Sequence, residues 1–371
     1  MRFIVSGGGT GGHIYPALAI ARGLLDKYSG AEVLYVGGAG GLESELASRA
    51  GLPFQAVPAA GFKRRLSARN LLVVGRAAHG VLRAGRILAR FKPDAVVGTG
   101  GYVCGPMVLA AALAGVPTLI HEQNALPGVT NRLLARLVSR VAVTFADSIR
   151  YFPRPDRVIL TGLPVRPEIM GRQKDESRRA LGVPAEARLV LSFGGSQGAR
   201  TINAAMVDVL RFFSDRPDVH FIHVTGPGQY EAFLRSLGEA GLSSAQNGNI
   251  TIKPYLHEMP TALAAADLAV CRAGAATLAE LTVVGLPAIL IPYPHATGNH
   301  QEFNARALEK KGAALVIRDA ELSGGLLSRQ LVRLLDDERR LSAMARASRE
   351  LGRPGALDDI LSCIDQLLHK R

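Results

Sequence analysis

Short apolar runs alternate along the chain with longer stretches in which apolar residues recur at helical spacing. In the first half the runs lie near residues 2–6, 32–36, 95–98, 117–121 and 141–143. A second series lies near residues 189–193, 219–224, 250–252, 268–270, 287–291 and 314–317. Because strands that alternate with helices pair in parallel, the pattern predicts an α/β protein with two doubly wound parallel sheets.

A proline-punctuated stretch, Thr161-Gly162-Leu163-Pro164-Val165-Arg166-Pro167, separates the two series and is typical of a hinge. The 371 residues are enough for two separate hydrophobic cores. We therefore predict an N-terminal domain over 1–161, a hinge over 162–167 and a C-terminal domain over 168–345. The remaining segment, 346–371, is predicted to be helical and to pack across both domains.

Each half opens with a strand, a glycine-rich loop and a helix. The loops are GGGTGG at 7–12 and GGSQG at 194–198. Such a junction presents free backbone N–H groups and the positive end of a helix dipole to an anion. His13 stands where the first loop meets its helix, either as an acid–base group or as a residue that only caps or packs.

The first loop also has the G-x-G-x-x-G spacing of dinucleotide-binding proteins. That interpretation requires a carboxylate after the second strand to hold the ribose. Gly37 and Gly38 follow the predicted strand 33–36, and Glu43 lies beyond them. The sequence therefore disfavours a nicotinamide or flavin enzyme.

Other polar loops follow predicted strands. In the first half, 99–102 and 121–124 are expected at the same sheet edge as His13. In the second half, Gly274 opens a helix that contains Glu280, which is either a ribose ligand or a surface carboxylate. His295 and His300 straddle a glycine loop with no Cys or Asp beside them, so no metal site is expected.

Composition and charge add further limits. Three scattered cysteines argue against a disulfide framework or a zinc site. The apolar residues before the first glycines are too few for a signal peptide, and the longest apolar stretch, 107–120, is too short to span a bilayer.

The net charge of +13 is concentrated between Leu46 and Pro93, where there is no Asp or Glu. Ten basic residues interleave there with apolar ones: Arg49, Lys63, Arg64, Arg65, Arg69, Arg76, Arg83, Arg86, Arg90 and Lys92. This mixture suits an anionic membrane surface. Nucleic acid, and an amphipathic core helix with a solvated arginine face, are the alternatives.

Seven motifs occur in order: GGGTGGH at 7–13, GTGGYVCGP at 98–106, HEQN at 121–124 with Gly128 and Asn131, GLPVR at 162–166, GGSQGA at 194–199, AGAATLAE at 273–280 and NHQEFNA at 299–305. Together they resemble the MurG family of bacterial glycosyltransferases, from residue 3 to about 312. The resemblance implies a GT-B fold, two Rossmann-like domains facing a central cleft.

The resemblance also implies an activity. N-acetylglucosamine would pass from UDP-GlcNAc, with inversion, to the 4-hydroxyl of the muramyl sugar of lipid I, forming lipid II for peptidoglycan. No cofactor would be needed. The implied partners are undecaprenyl-linked lipid I, an anionic membrane surface and proteins of cell-wall synthesis, without nucleic acid. The implied location is peripheral, at the cytoplasmic face of the cell membrane.

The resemblance assigns residues to roles. His13 would be the catalytic base, with Glu122 as the second candidate. At the donor, Glu280 would bind the ribose, and Ser196 and the 272–277 turn would bind the diphosphate. Gln301 would bind the sugar, Tyr255 and Leu256 would line the uracil site, and Arg166 would close from the hinge. The full donor set is Thr10, Gly11, Gly12, Asn124, Arg166, Ser196, Tyr255, Leu256, Arg272, Gly274, Ala275, Thr277, Glu280 and Gln301. The acceptor set is Thr10, His13, Tyr102 and Asn124, and the membrane set is Lys63, Arg64, Arg65 and Arg69.

Two other functions remain open. A UDP-GlcNAc 2-epimerase shares the architecture and the donor, but it needs paired acid–base carboxylates and has no use for a basic apolar segment. A non-catalytic lipid-binding module would use that segment, yet it would not need the donor loops around Glu280 and Gln301.

Overall fold

The chain folds into two compact units. The computed structural model describes residues 1–59, 69–242 and 248–369, without the side chains of 69–74 and 76. The first unit comprises Met1–Pro164 and Pro354–Arg371, and the second comprises Val165–Arg353. The first division falls inside the predicted hinge. The second differs from the predicted boundary between 345 and 346, because one helix, Glu338–Leu351, runs through that point.

The first unit has a parallel sheet with helices on both faces. Its elements in chain order are β1 Arg2–Ser6, α1 Gly11–Lys27, β2 Glu32–Gly37, α2 Leu42–Arg49, β3 Phe54–Ala56, α3 Arg69–Phe91, β4 Ala95–Gly98, α4 Gly101–Leu113, β5 Thr118–Glu122, α5 Val129–Leu134, β6 Arg140–Val143 and β7 Val158–Leu160. The strand order is β3-β2-β1-β4-β5-β6-β7, and neighbouring strands pair in parallel.

The second unit repeats this plan with one strand fewer. Its elements are α6 Lys174–Leu181, β8 Arg188–Phe193, α7 Arg200–Phe212, β9 Val219–Val224, α8 Tyr230–Glu239, β10 Ile250–Lys253, α9 Met259–Ala265, β11 Leu268–Cys271, α10 Ala275–Val284, β12 Ala288–Leu290, α11 His300–Lys310, β13 Ala314–Val316, α12 Gly324–Leu335 and α13 Glu338–Leu351. The strand order is β10-β9-β8-β11-β12-β13, again with parallel neighbours.

The last helix, α14 Ala356–Leu368, belongs to the first unit. Ile360 and Ile364 are fully buried in the cluster that contains Phe3 of β1. At its C-terminal end, the Asp365 carboxylate accepts hydrogen bonds from Lys27 and from the Tyr28 hydroxyl at the end of α1. The helix therefore completes one face of the first sheet.

The central strands are apolar because helices cover both of their faces. Phe3 and Ile4 of β1 are each fully buried, yet they point into different clusters on opposite sides of the first sheet. Continuous apolar runs of this kind are expected for parallel strands buried on both faces. The predicted doubly wound architecture is confirmed for each unit. β3 and β7, three residues each at the sheet edges, are strands that the pattern did not predict.

Each sheet has one point at which the strand order reverses direction. In the first it lies between β1 and β4, and in the second between β8 and β11. In open α/β sheets, ligands bind outside the carboxyl ends of the strands at this point. The two glycine-rich loops follow β1 and β8, so both lie at such a position.

Candidate active site

The loops after β1 and β4 touch each other at the switch point of the first sheet. A side chain at Gly7 would overlap the Thr99 hydroxyl, and one at Gly101 would overlap the Gly8 carbonyl oxygen. Gly9 and Gly101 also have positive φ angles of 83° and 77°, which L side chains rarely adopt. The glycines are therefore required by close approach and by backbone conformation at this edge.

His13 lies in the first turn of α1 and is held by both neighbouring loops. Its Nδ1 atom is 3.1 Å from the Thr99 carbonyl oxygen and 2.9 Å from Oε1 of Gln123. The side chain is half-buried, and its Nε2 atom has no hydrogen-bond partner among the residues that the structure describes. The three loops after β1, β4 and β5 thus converge on one imidazole, as the sequence predicted.

Glu122, the second candidate for the base, is occupied by its own loop. Its Oε1 accepts hydrogen bonds from the backbone and side-chain amides of Asn124, at 3.0 and 3.3 Å. Its Oε2 accepts from the Gly128 N–H at 3.1 Å and from Asn131 Nδ2 at 2.8 Å. The side chain is 1% exposed. This carboxylate therefore orders the segment 122–131, and the geometry favours His13 for proton transfer.

The predicted acceptor residues lie at the same edge of the first unit as this imidazole, together with Gly11 and Gly12 of the predicted donor set. Thr10 is the exposed N-cap of α1, and Gly11 and Gly12 form the first turn with their N–H groups toward the same end. The Tyr102 ring is 47% exposed and packs over Gly9. Asn124, half-buried, follows β5. These residues share one edge of the first unit, although their predicted contacts with ligand remain predictions.

The switch point of the second sheet presents helix N-termini. Gly194–Gly198 follows β8, with Ser196 exposed, and Gly198 lies so close to the Thr225 carbonyl oxygen that a side chain would overlap it. Gly274 is the N-cap of α10, and Ala275 and Thr277 lie in the first turn. Backbone N–H groups at such a helix start can receive phosphate oxygens.

Arg272, predicted to face the diphosphate, is held by the second unit itself. Its guanidinium donates to Asp319, to the carbonyl oxygens of Ile291 and Pro292 at 3.1 and 3.3 Å, and to Thr201 Oγ1 at 2.9 Å. With its side chain 12% exposed, Arg272 holds the loop between β11 and α10 against its neighbours. Its predicted contact with the diphosphate stays a prediction.

Glu280 is paired with Arg166. Nε and Nη2 of Arg166 donate to the two carboxylate oxygens of Glu280 at 2.7 and 3.1 Å. Burial alone would lower the pKa of Arg166, but the hydrogen bond and charge of Glu280 raise that pKa above its ordinary value. The arrangement is bidentate, so two of the roughly four acceptor positions of the carboxylate stay available to hydroxyl groups.

Three further predicted donor residues lie near these loops. Oε1 of Gln301 accepts from the backbone N–H groups of Ala273, at 3.2 Å, and Tyr293, at 2.9 Å. This anchors the amide and leaves its NH₂ group to donate elsewhere. Leu256 is 8% exposed whereas Tyr255 is 48% exposed, so the pair offers an apolar floor beside an accessible ring.

The predicted membrane residues have no structural description. Lys63, Arg64 and Arg65 lie outside the described residues, and the side chain of Arg69 is not described. Among the described helices, none is long and apolar enough to cross a bilayer. The described ranges also contain no group of three or more His, Cys, Asp or Glu side chains that could hold a metal ion.

The two Rossmann-like units, each with a glycine loop at its switch point, define the GT-B class of glycosyltransferase folds. Residues 3–143 match the glycosyltransferase family 28 N-terminal domain, and residues 189–360 match the glycosyltransferase family 28 C-terminal domain. The chain belongs to glycosyltransferase family 28.

Individual relatives agree with this assignment. The UDP-N-acetylglucosamine–N-acetylmuramyl-(pentapeptide) pyrophosphoryl-undecaprenol N-acetylglucosamine transferase of Desulforudis audaxviator is 55% identical over 370 residues, covering 100% of this chain and 99% of the relative. The crystal structure of Acinetobacter baumannii MurG superimposes with a TM-score of 0.78 and 31% identity, covering 98% of this chain and 99% of that one. A UDP-GlcNAc 2-epimerase from Neisseria meningitidis, 13% identical with a TM-score of 0.65 over 99% of this chain and 100% of that one, shares the fold alone.

Proposed function

We infer that this chain transfers N-acetylglucosamine from UDP-GlcNAc to lipid I and so forms lipid II. The observation that carries this inference is the 55% identity, over the full length, to the transferase of Desulforudis audaxviator that bears this activity in its name. The described loops provide the chemistry that such a transfer needs, with an imidazole at one switch point and anion-binding helix starts at the other.

His13 is the general base of this proposal. Its Nε2 atom takes the proton of the muramyl 4-hydroxyl as that oxygen attacks C1 of the donor sugar. The new bond joins O4 to C1, the bond between C1 and the phosphate oxygen breaks, and UDP leaves with the electron pair. Attack from the side opposite to the leaving group inverts C1. A positioned histidine is well suited to this step because its ordinary pKa lies near neutrality.

The second unit holds the donor. The N–H groups at the start of α10, together with Ser196, receive the diphosphate and stabilise the charge that develops on leaving UDP. Glu280, oriented by Arg166, accepts hydrogen bonds from the ribose hydroxyls. Gln301 directs its NH₂ group to the sugar, and Tyr255 with Leu256 receives the uracil. Fixed dipoles of this kind can stabilise the leaving group without a metal ion.

The acceptor contacts the loops of the first unit. Thr10 offers its hydroxyl to the pyrophosphate of lipid I, and Tyr102 and Asn124 contact its sugar. These groups lie at the edge that carries His13, so an acceptor bound there brings its hydroxyl to the base.

Membrane association is peripheral in this proposal, at the cytoplasmic face, and centres on residues 62–92. Two described regions of the first unit support it, one within that segment and one on α5. Leu82 of α3 is 64% exposed among the exposed Arg83 and Arg86, and Leu133 of α5 is 57% exposed beside the exposed Arg132. Two interactions hold a protein on an anionic bilayer, namely the insertion of apolar side chains such as leucine and the attraction of arginines to anionic lipids. Partners among the cell-wall synthesis proteins belong to the same proposal.

One assay separates the transferase from the alternatives. UDP release from UDP-GlcNAc is measured with and without a soluble lipid I analogue. We expect release that depends on the analogue and a product carrying the added N-acetylglucosamine. Release without acceptor, together with a 2-epimerised sugar, would identify an epimerase. No release under either condition, with retained vesicle binding, would identify a lipid-binding module.

A further inference from the structure

A buried chain of polar side chains leads from the interior of the first unit to His13. His121 is the last residue but one of β5 and Gln123 is the first residue after that strand, so the two side chains, two residues apart in extended chain, project to the same side. They are 0% and 1% exposed. Gln123 contacts His121 through its amide nitrogen and His13 through its amide oxygen, at 3.0 and 2.9 Å.

The protonation of His121 follows from its surroundings. Its Nε2 atom is 2.8 Å from the carbonyl oxygen of Gly162, which can only accept, so Nε2 carries the proton. Burial lowers the pKa of His121 to about 4, and the ring is neutral at physiological pH. Its Nδ1 atom is therefore an acceptor and requires a donor from Gln123.

The amide of Gln123 can adopt only one orientation. Its Nε2 atom is 2.7 Å from the carbonyl oxygen of Thr99, 3.1 Å from that of His121 and 3.0 Å from His121 Nδ1. All three are acceptors, so a flipped amide would bring its oxygen against three electron-rich atoms. The amide oxygen consequently faces His13.

His13 thus meets two acceptors at Nδ1, the Gln123 amide oxygen and the Thr99 carbonyl oxygen. A neutral imidazole carries one N–H, and these partners require it at Nδ1. Gly100 and Gly101 leave room for the ring in this position, because a Cβ at Gly100 would lie only 2.9 Å from Nδ1 and one at Gly101 only 3.3 Å from Cδ2. The lone pair is then left on Nε2.

We propose that Gln123, oriented by His121, is a positioning residue that fixes the Nδ1–H tautomer of His13 and keeps Nε2 unprotonated for the acceptor hydroxyl. The proposal rests on the assignment of His13 as the base and adds the groups that set its protonation. Neither His121 nor Gln123 contacts substrate in this arrangement. Their effect on the rate passes through His13.

The test combines a spectroscopic and a kinetic measurement. Ring-¹⁵N-labelled histidine is incorporated into the full chain, and His13 is assigned by comparison with His13→Ala. In the native protein we expect a protonated Nδ1 and an unprotonated Nε2. Gln123→Met keeps the side-chain length but removes the amide, so the Nε2–H tautomer should become populated. We expect kcat to fall about 10- to 100-fold, the range typical when a supporting hydrogen bond is lost, with KM for UDP-GlcNAc within about twofold.

Two further variants distinguish positioning from stability. Gln123→Glu, with its buried carboxyl protonated, retains an acceptor opposite His13 Nδ1 and an O–H donor toward the Thr99 carbonyl oxygen and His121, so it should preserve the Nδ1–H signal and turn over faster than Gln123→Met. Asn249→Leu removes a buried amide of the second unit that donates to the carbonyl oxygens of Phe213, Arg216 and Val219. It should lower Tm while leaving kcat and the His13 spectrum unchanged.

Three results would contradict different parts of this proposal. An Nε2–H tautomer in the native protein contradicts the proposal directly, even if Gln123→Met does not fold. Loss of activity in Gln123→Met with an unchanged His13 spectrum would assign Gln123 a structural role. If His13→Ala turns over normally, the assignment of the base fails, while the tautomer measurement still decides what Gln123 does.

Discussion

The two switch points share one backbone plan and carry different side chains. Each has a strand, a glycine-rich loop and a helix that begins beside it. At the first, the helix brings in His13, whose Nδ1 is held by Thr99 and Gln123. At the second, the helix α10, which follows the neighbouring strand β11, carries Glu280, paired with Arg166. In our proposal this common frame supports proton transfer in one unit and donor binding in the other, according to the side chains that the helices at each switch point carry.

The two units also differ in the surroundings of their fully buried histidines. His121 and His223 are both fully buried, and burial lowers their pKa values to about 4 and about 3. Both nitrogens of His121 have partners, one of which is Gln123 beside His13. In His223, Nδ1 lies 3.0 Å from the Ser192 hydroxyl, while Nε2 has no partner within the described ranges. Only the first histidine is connected to a candidate catalytic group.

The largest expected effect is on the chemical step. His13→Ala should lower kcat by on the order of 10²–10⁴, because it removes the only nitrogen that we assign to proton transfer. Donor affinity should change little, since the contacts proposed for the diphosphate, ribose, sugar and uracil all lie in the second unit. Steady-state kinetics with a lipid I analogue provides the measurement. Turnover close to normal from pH 6 to 9 would return His13 to a packing role.

The next effect concerns the membrane and involves the first unit alone. Replacing Lys63, Arg64, Arg65 and Arg69 with Ser should weaken binding to anionic vesicles by on the order of 100-fold or more, since each basic residue contributes about 1 kcal/mol. Binding to neutral vesicles and UDP affinity should change little. The readout is sedimentation with vesicles.

A matched control removes four exposed arginines of the second unit, namely Arg211, Arg235, Arg329 and Arg339. It lowers the net charge equally. Equal losses of anionic-vesicle binding in both quadruple variants would mean that overall charge, rather than the segment 62–92, holds the protein at the surface.

Donor affinity should depend on Glu280. Glu280→Ala removes the charge-assisted hydrogen bonding to the ribose, which contributes about 1.5–3 kcal/mol in total. Calorimetric titration with UDP should therefore show affinity reduced by roughly 10- to 100-fold. Glu231→Ala, at an exposed glutamate of α8, is the control and should bind UDP normally. Unchanged affinity in folded Glu280→Ala would reassign that carboxylate to its ion pair with Arg166.

The smallest effect is on stability in mild acid. His121 and His223 have folded-state pKa values below the unfolded value near 6.5, so the unfolded chain binds more protons as the pH falls. Their contribution is complete above about pH 6.5 and is lost toward their folded pKa values, at up to about 1.4 kcal/mol per pH unit for each histidine.

Urea unfolding at pH 7, 6 and 5, followed by circular dichroism because the chain has no tryptophan, gives this slope. His223→Leu should flatten it, since the proton that His223 takes up on unfolding no longer contributes. A slope that is identical in the variant would show that other groups govern the acid response.

Much of the fold could be predicted because its strands and glycine-rich loops have local sequence patterns. Apolar runs marked eleven of the strands, and glycine loops marked both switch points. β3 and β7 were missed because three residues at a sheet edge carry too little alternation. The predicted domain boundary at 345 divides the helix α13. The amphipathic pattern of this helix continues past 345 into a segment without strands, so it does not mark where the second domain ends.

The sequence predicted which residues form the candidate site, but it did not predict the contacts between them. The sequence pointed to His13 and Glu280, but Arg166 pairs with Glu280 across 114 positions and Gln123 reaches His13 across 110. Such pairings depend on the folded chain and leave no local signature. A weaker signal did exist for the first unit, because His121 and Gln123 are two residues apart at a strand end, a spacing that places side chains of extended chain on one side.

The central claim is that the chemical step depends on the first switch point and donor binding on the second. Single-turnover transfer at saturating donor tests this claim most directly. The enzyme is mixed with excess labelled UDP-GlcNAc, the lipid I analogue is added, and the rate constant of product formation is compared for His13→Ala and Glu280→Ala. We expect His13→Ala to be slower by on the order of 10²–10⁴, and Glu280→Ala, once saturated, to stay within a few-fold of the native rate. A native rate for His13→Ala with a large loss for saturated Glu280→Ala would contradict the assignment of chemistry to the first unit and donor binding to the second.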